Sequence, residues 1–239
     1  ARMSDQWGHP DKAEDLQRDA YAHNRNLLRP KVMPPYQPLP NPGKQAKAIV
    51  SQFNDYRLRR GLLQYFEETV SYLHSKASAN QFEEALKNLA IMIGFSAERH
   101  DKNGEGPDVL WLLPEKCGVV IEAKSRKKET NALKKEDHGQ LLVAAEWFAA
   151  NYKDYKCCKV SIHPNNMATK ASGASESYAL TYEKLAVLVS DARVLLTALC
   201  DSQLDKAELE ISCQKLLANS SLDSKKVVEE YLQFFEVAK

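Results

Sequence analysis

The sequence predicts an α/β protein in which helices flank a small mixed β-sheet, with a Pro-rich N-terminal arm and a helical C-terminus. Two short apolar strands follow each other closely, and amphipathic helical segments precede and follow them. The chain has 239 residues, of which 44% are hydrophobic and 27% charged, so it can bury a core of ordinary size. This composition excludes collagen, coiled-coil and fully disordered chains.

The predicted N-terminal arm covers residues 1–43. Seven of the ten prolines lie within it, and they exclude a helix interior or a central strand over residues 30–43. We predict an extended, polyproline-like segment there, preceded by a short helix within residues 11–28. Such an arm docks on a partner or a neighbouring domain, or serves as a flexible linker. Because Ala-Arg precedes Met3, we leave open whether the chain is a fragment.

The predicted core covers residues 44–200, and a helical extension follows over residues 201–239. Apolar residues recur at helical spacing over 44–74, and an amphipathic helix over 79–93 ends at Gly94. The remaining core elements are a strand at 95–100, strands at 108–113 and 119–123, a helix at 133–151, a strand at 159–163 and a polar loop at 164–176. Three helical stretches complete the chain, at 181–200, 205–218 and 223–237.

Charge and cysteine content restrict where the protein works and how it binds. The net charge is +1, so any nucleic-acid binding must depend on local basic patches. No apolar run reaches the roughly 18 residues that a membrane span needs. The five cysteines show no CxxC spacing, and the first ten residues carry no apolar signal segment. We therefore expect a cytoplasmic protein that does not associate with membranes.

The most informative segment is GPDVLWLLPEKCGVVIEAKS, residues 106–125. Asp108 begins one strand, and Glu122 and Lys124 lie near the end of the next. Side chains alternate along a strand, so Glu122 and Lys124 project to the same side. The turn at 114–118 favours an antiparallel pair, which brings Asp108 beside Glu122.

This arrangement predicts a divalent cation site. Two carboxylates that converge without a partner repel each other, and a bound cation removes that repulsion. Hard oxygen ligands suit Mg²⁺ or Mn²⁺. Such a cation polarises a phosphoryl oxygen and lowers the pKa of bound water, while Lys124 orients the water and offsets negative charge. The combination predicts phosphodiester hydrolysis.

In these residues the chain resembles the PD-(D/E)XK nuclease superfamily, which has the restriction-endonuclease-like fold. The matching residues are Gly106-Pro107-Asp108 and Glu122-Ala123-Lys124, and the order of predicted elements also matches over residues 79–200. The resemblance implies a metal-dependent nuclease, a DNA endonuclease of the kind attached to helicases or used in defence against foreign DNA. The near-zero net charge and the Pro-rich arm suggest in addition a partner protein or an attached domain, which residues 1–43 would engage.

The resemblance further implies the residues that hold the metal. Asp108 and Glu122 supply carboxylates, Ala123 supplies a backbone carbonyl, and a preceding helix supplies a fourth ligand. Glu83 is the better match for that ligand and for a catalytic role, with Glu84 as the alternative, because helical phase alone does not choose between them.

A basic run follows Lys124. Residues 124–135 contain six basic residues and one acidic residue, and a phosphate backbone that leaves the site would pass there. The predicted nucleic-acid-binding residues are Arg126, Lys127, Lys128, Lys134, Lys135 and Gln140. A solvated loop and an ordinary helix surface are the alternatives. We expect His138 at the surface or in the N-terminal turn of its helix. His100 lies in the loop before Asp108, where it is exposed to solvent by default and could contact substrate.

Two further functions remain open at the level of sequence. Glu122 and Lys124 could form an ordinary salt bridge at a strand edge, which would suit an inactive nuclease-fold scaffold or a nucleic-acid-binding subunit. An RNA-directed nuclease has the same sequence signature. The sequence also leaves open whether the chain forms a homodimer, as many relatives do in order to cut both strands.

Overall fold

A mixed β-sheet of six strands forms the centre of the larger of two units. The computed structural model describes residues 8–23, 27–28, 30–31, 36–100, 106–124 and 130–237. The chain divides into the units Ala1–Pro38 and Leu39–Lys239. The described part of the first unit contains helix α1 (Pro10–His23). This boundary falls at Pro38, within the arm predicted for residues 1–43.

Residues 39–43 belong to the second unit because polar groups of that unit bind them. The Leu39 N–H donates to the Tyr152 hydroxyl at 2.9 Å. The Asn41 amide donates to the Pro114 carbonyl at 3.1 Å and to the Tyr155 hydroxyl at 3.2 Å. This part of the proline-rich segment is therefore extended chain that docks along the second unit.

The central sheet combines antiparallel and parallel pairs. Its order along the sheet, β1-β2-β3-β4-β6-β7, comprises β1 (Ser96–Glu98), β2 (Val109–Leu113), β3 (Cys117–Ala123), β4 (Lys156–His163), β6 (Tyr178–Thr181) and β7 (Gln233–Phe234). The first three strands pair antiparallel, β3, β4 and β6 pair parallel, and β7 is antiparallel to β6. A separate parallel pair joins β5 (Met167–Ala168) to β8 (Glu236–Val237).

Seven helices complete the described part of the second unit. They are α2 (Gln45–Ser51), α3 (Arg60–Val70), α4 (Ala79–Met92), α5 (Lys135–Asn151), α6 (Tyr182–Asp201), α7 (Lys206–Ala218) and α8 (Val227–Tyr231). Helix α4 begins at a capping box. The Ser78 hydroxyl accepts a hydrogen bond from the Gln81 backbone N–H, and the Gln81 side chain accepts one from the Ser78 backbone N–H. It ends before Gly94, whose φ of 89° suits glycine.

The sheet is covered on both faces. Val109, Trp111 and Ile121 pack into the larger core with side chains of α4 and α6. Helix α5 packs against β3 and β4, and a Cβ at Gly118 would lie 2.1 Å from a Phe148 ring carbon. Because neighbouring strand positions face opposite ways, α5 therefore covers the face to which Asp108, Glu122 and Lys124 belong.

The predicted α/β class, with a mixed sheet and flanking helices, is confirmed. The apolar strands pair antiparallel as predicted, with Val109 opposite Ile121. Three core features were not predicted. The residues over 44–74 form two helices instead of one, the short strand β5 lies within the predicted loop at 164–176, and strand β6 follows that loop, where no strand was predicted. None of the described helices combines the length and apolar character that a membrane-spanning segment requires.

The helix predicted for residues 223–237 is wrong beyond Tyr231. Helix α8 spans only Val227–Tyr231, and the chain then runs extended, with Gln233 and Phe234 paired to β6. Apolar residues in this segment also fit helical spacing, but the open edge of β6 offers backbone hydrogen bonds and the Phe234 ring stacks on Tyr178 at 4.3 Å. Contact with a distant strand therefore decides the local structure.

The contact of Gly118 with Phe148 gives a stability prediction. We expect Gly118→Ala to destabilise the protein by about 1–3 kcal/mol, because the buried ring has no room to move away. Gly139→Ala is the matched control, since a Cβ there meets no atom within 4 Å and alanine favours helix by about 1 kcal/mol. Urea unfolding followed by circular dichroism measures both. Equal stability of the two variants would contradict the packing described.

Candidate active site

A cavity of about 720 Å³ lies where β2 begins and β3 ends, beside the first half of α5. Asp108, Glu122 and Lys124 all line it, together with Gln140 of α5. The structure therefore brings together the three residues that the sequence predicts as the centre of the site. The cavity is large enough for a small ligand or a short stretch of a polymer.

The backbone of β3 holds the Asp108 carboxylate in place. Asp108 directly precedes β2. Because Val109 pairs with Ile121, Asp108 lies next to the last paired residues of β2 and β3. The Ala123 N–H donates to Asp108 Oδ2 at 2.8 Å. This bond fixes one carboxylate oxygen against the end of β3, on the same side as Glu122.

Glu122 is a buried carboxylate whose neighbours disfavour its charge. Its side chain is 8% exposed. Burial, followed by the negative charge of Asp108, raises the pKa of Glu122 to about 7, and the nearby Lys124 ammonium only partly opposes this rise. The pair Asp108 and Glu122 thus carries an electrostatic repulsion that Lys124 does not remove.

Lys124 is held between two acceptors inside the cavity. Its Nζ lies 3.4 Å from Glu122 Oε2 and 2.5 Å from Gln140 Oε1. Its backbone N–H donates to the Ile162 carbonyl at 2.9 Å, which extends the pairing of β3 with β4 by one residue. The ammonium group is therefore oriented toward the carboxylates, and Gln140 lies at the site.

The donor set fits a hard divalent cation. Two carboxylates converge, and burial together with the charge of Asp108 raises the pKa of Glu122; a bound cation would offset both effects. Asp108 and Glu122 would hold the ion, with the Ala123 carbonyl as the further predicted ligand. Among the described residues, no group of three or more His, Cys, Asp or Glu side chains is placed to hold a metal.

Within the described part of the chain, the residues that line the cavity do not include Glu83. Its Oε2 is 2.6 Å from Arg99 Nη2, and its side chain is 8% exposed. Glu84 pairs with Lys87 at 2.5 Å and with Arg99 at 3.5 Å. The structure thus buries Glu83 in an ion pair and leaves Glu84 nearer to solvent. The role of Glu83 as a metal ligand and catalytic residue stays a prediction.

The predicted nucleic-acid-binding residues divide into two groups. Arg126, Lys127 and Lys128 lie outside the described residues. Lys134 and Lys135 are exposed at the beginning of α5, next to the helical turn that carries Glu136. Their exposure is compatible with phosphate contact and also with an ordinary helix end.

The sequence did not predict Glu136 as a site residue, yet it lines the cavity. Glu136, Gln140 and Val143 are spaced by four and three residues, so one face of α5 borders the cavity. This spacing is the sequence signal from which Glu136 could have been predicted as a site residue. His138 lies on another face, in the first turn of α5, which is one of its two predicted placements. The other placement, at the surface, is wrong: His138 is buried, with its ring nitrogens 2.7 Å from the Ser172 carbonyl and 3.0 Å from Ser177 Oγ.

The raised pKa of Glu122 predicts how stability depends on pH. In the absence of divalent cations the folded protein binds this proton more tightly than the unfolded chain, whose Glu pKa is near 4.5. Stability therefore falls as the pH rises from about 4.5 to about 7, by on the order of 2 kcal/mol.

We expect Glu122→Gln to remove this part of the pH dependence, and Glu229→Gln, at an exposed carboxylate of α8, to keep it. The measurement is urea unfolding in EDTA between pH 4.5 and pH 8. The same slope in wild type and Glu122→Gln would show that Glu122 titrates normally.

Comparison with known proteins adds no relative to this description. No known protein family, no curated protein and no solved structure matches the chain. The resemblance to the PD-(D/E)XK superfamily stays a prediction, and the function must be argued from the geometry of the site.

Proposed function

We propose that the protein is a metal-dependent nuclease that hydrolyses phosphodiester bonds, with DNA as its substrate. The convergence of Asp108, Glu122 and Lys124 on one cavity carries the proposal. Two carboxylates and an ammonium group beside a cavity are the residue types that phosphodiester hydrolysis requires.

Each residue has a distinct part in the proposed reaction. Asp108 and Glu122, with the Ala123 carbonyl, would hold Mg²⁺ or Mn²⁺; when bound, such a cation polarises a phosphoryl oxygen and lowers the pKa of its water. Lys124 orients the attacking water and offsets the negative charge that develops on the phosphate oxygens. Gln140 accepts from the Lys124 ammonium, and this bond keeps the ammonium directed into the cavity.

An ordinary salt bridge between Glu122 and Lys124 explains the site less well. Lys124 lowers the pKa of Glu122, as an ion pair does, but burial and the negative charge of Asp108 outweigh this effect and raise the pKa to about 7. The ion pair therefore does not compensate the charge of the two carboxylates. The separation of 3.4 Å between the two charged groups is also long for a tight pair. Lys124 lies closer to Gln140 than to Glu122, as expected of a group positioned for a ligand.

The wider setting follows from the resemblance and from charge. The net charge of +1 supplies little general attraction to DNA, so we propose that a partner protein or an attached domain delivers the substrate. Residues 1–43 are the proposed contact with that partner. Work in the cytoplasm, against foreign DNA, is the setting that fits these features.

The proposal predicts metal-dependent nicking of DNA. Purified protein should convert supercoiled plasmid to the open circle with Mg²⁺ or Mn²⁺ and not with EDTA. Lys124→Ala and Asp108→Ala should each slow nicking by about 100-fold or more, because both act on the reacting phosphate. Lys215→Ala, at an exposed lysine of α7, should nick at the wild-type rate.

Circular dichroism melting of each variant separates loss of chemistry from loss of folding. Equal nicking by wild type, Lys124→Ala and Asp108→Ala would overturn the nuclease proposal. The absence of nicking by all three, with binding of a partner protein that depends on residues 1–43, would favour the scaffold. Cleavage of a single-stranded RNA at a higher kcat/KM than DNA of the same sequence would assign the RNA-directed alternative.

A further inference from the structure

A histidine forms part of the cavity wall beside α5. His100 follows β1, and its side chain lines the same cavity as Asp108 and Glu122. The ring centroid lies 4.3 Å from that of Trp147. A Cβ at Gly106, where φ is +86°, would lie 3.0 Å from His100 Cγ. The imidazole is thus packed between α5 and the backbone that leads into Asp108.

A carboxylate fixes the orientation of this imidazole. His100 Nε2 is 2.8 Å from Glu98 Oε1, and the two side chains are only 12% and 22% exposed. An ionised carboxylate only accepts hydrogen bonds, so His100 Nε2 is the donor. Glu98 is itself held by β1, which pairs it with Leu110 of β2.

The docked proline-rich segment supports the same arrangement from outside. The Tyr152 hydroxyl donates to Glu98 Oε1 at 3.4 Å and accepts from the Leu39 N–H at 2.9 Å. Hydrogen bonds therefore connect residue 39, Tyr152, Glu98 and His100 in sequence, and the last member borders the cavity. A histidine in an ordinary surface loop does not need a chain of hydrogen bonds to orient its ring.

The cavity has room for more than the group that reacts. Its volume of about 720 Å³ lies in the upper part of the range of about 300–1,000 Å³ that is usual for ligand sites, and one phosphodiester group fills only a fraction of it. Asp108, Glu122 and Lys124 line this cavity together with His100. A strand bound at the carboxylates can therefore place a second phosphate within reach of the imidazole.

We propose that His100, oriented by Glu98, binds a phosphate next to the scissile one, so that the site takes a polynucleotide strand in preference to an isolated phosphodiester. This inference rests on the proposed function. When the ring is protonated, its second N–H, at Nδ1, donates one charge-assisted hydrogen bond to a phosphate oxygen while Nε2 stays bonded to Glu98. Trp147 already packs against the ring, so phosphate contact fits better than a stacked base. His100 is thus a substrate-binding residue that does not touch the reacting atoms.

The test compares a substrate with several phosphates and one with a single diester. With a short DNA oligonucleotide, His100→Ala should raise KM about tenfold, the worth of one charge-assisted hydrogen bond, and leave kcat within about twofold. With bis(4-nitrophenyl) phosphate, which has no second phosphate, the same variant should hydrolyse at the wild-type rate. Glu98→Gln should raise KM for the oligonucleotide by a smaller factor, and His74→Ala, at an exposed histidine, should change neither substrate.

The outcomes distinguish this inference from the proposed function. Equal loss of activity on both substrates, or no change on either, overturns the contact with a neighbouring phosphate. If Asp108→Ala matches wild type on both substrates, the nuclease proposal fails instead. Binding of a fluorescent oligonucleotide to Asp108→Ala then decides the inference without cleavage: about tenfold weaker binding of Asp108→Ala/His100→Ala supports it, and equal binding overturns it.

Discussion

The antiparallel register of β2 and β3 is the constraint on which the candidate site depends. Val109 lies opposite Ile121. Just beyond this pair, the Ala123 N–H donates to Asp108 Oδ2 at 2.8 Å. Both strands are buried on both faces, so a shift of one residue would exchange the apolar sets that pack against the helices on either side. The hydrophobic core therefore fixes the distance between the two carboxylates.

That constraint has an electrostatic consequence. The fold places Glu122 in a buried position beside Asp108, where its ionised form is disfavoured. Such an arrangement lowers the stability of the ligand-free protein at neutral pH, as expected when a binding site is built at the expense of folding. Lys124 is positioned by Gln140 as well as by Glu122, and its charge only partly offsets that of the carboxylate pair. The register of β2 and β3 thus determines both the burial of Glu122 and its raised pKa.

Local patterns predicted much of this, and long-range contacts decided the rest. Alternation along one strand places Glu122 and Lys124 together, and a tight turn brings Asp108 to them, so the centre of the site was readable from 17 consecutive residues. Strand β7 could not be predicted in this way, because its residues also fit helical spacing and pair only with β6, which is distant in sequence. The burial of His138 depends on Ser172 and Ser177, which no local pattern connects to α5.

The most direct test of this account is to locate the cation. A crystal of the wild-type protein grown or soaked with Mn²⁺ should show an anomalous scattering peak between the carboxylates of Asp108 and Glu122, about 2.0–2.3 Å from an oxygen of each. The same experiment on Asp108→Asn should lose the peak. Two carboxylates that point away from each other, or manganese bound only elsewhere on the protein, would contradict the proposed metal site and the nuclease mechanism built on it.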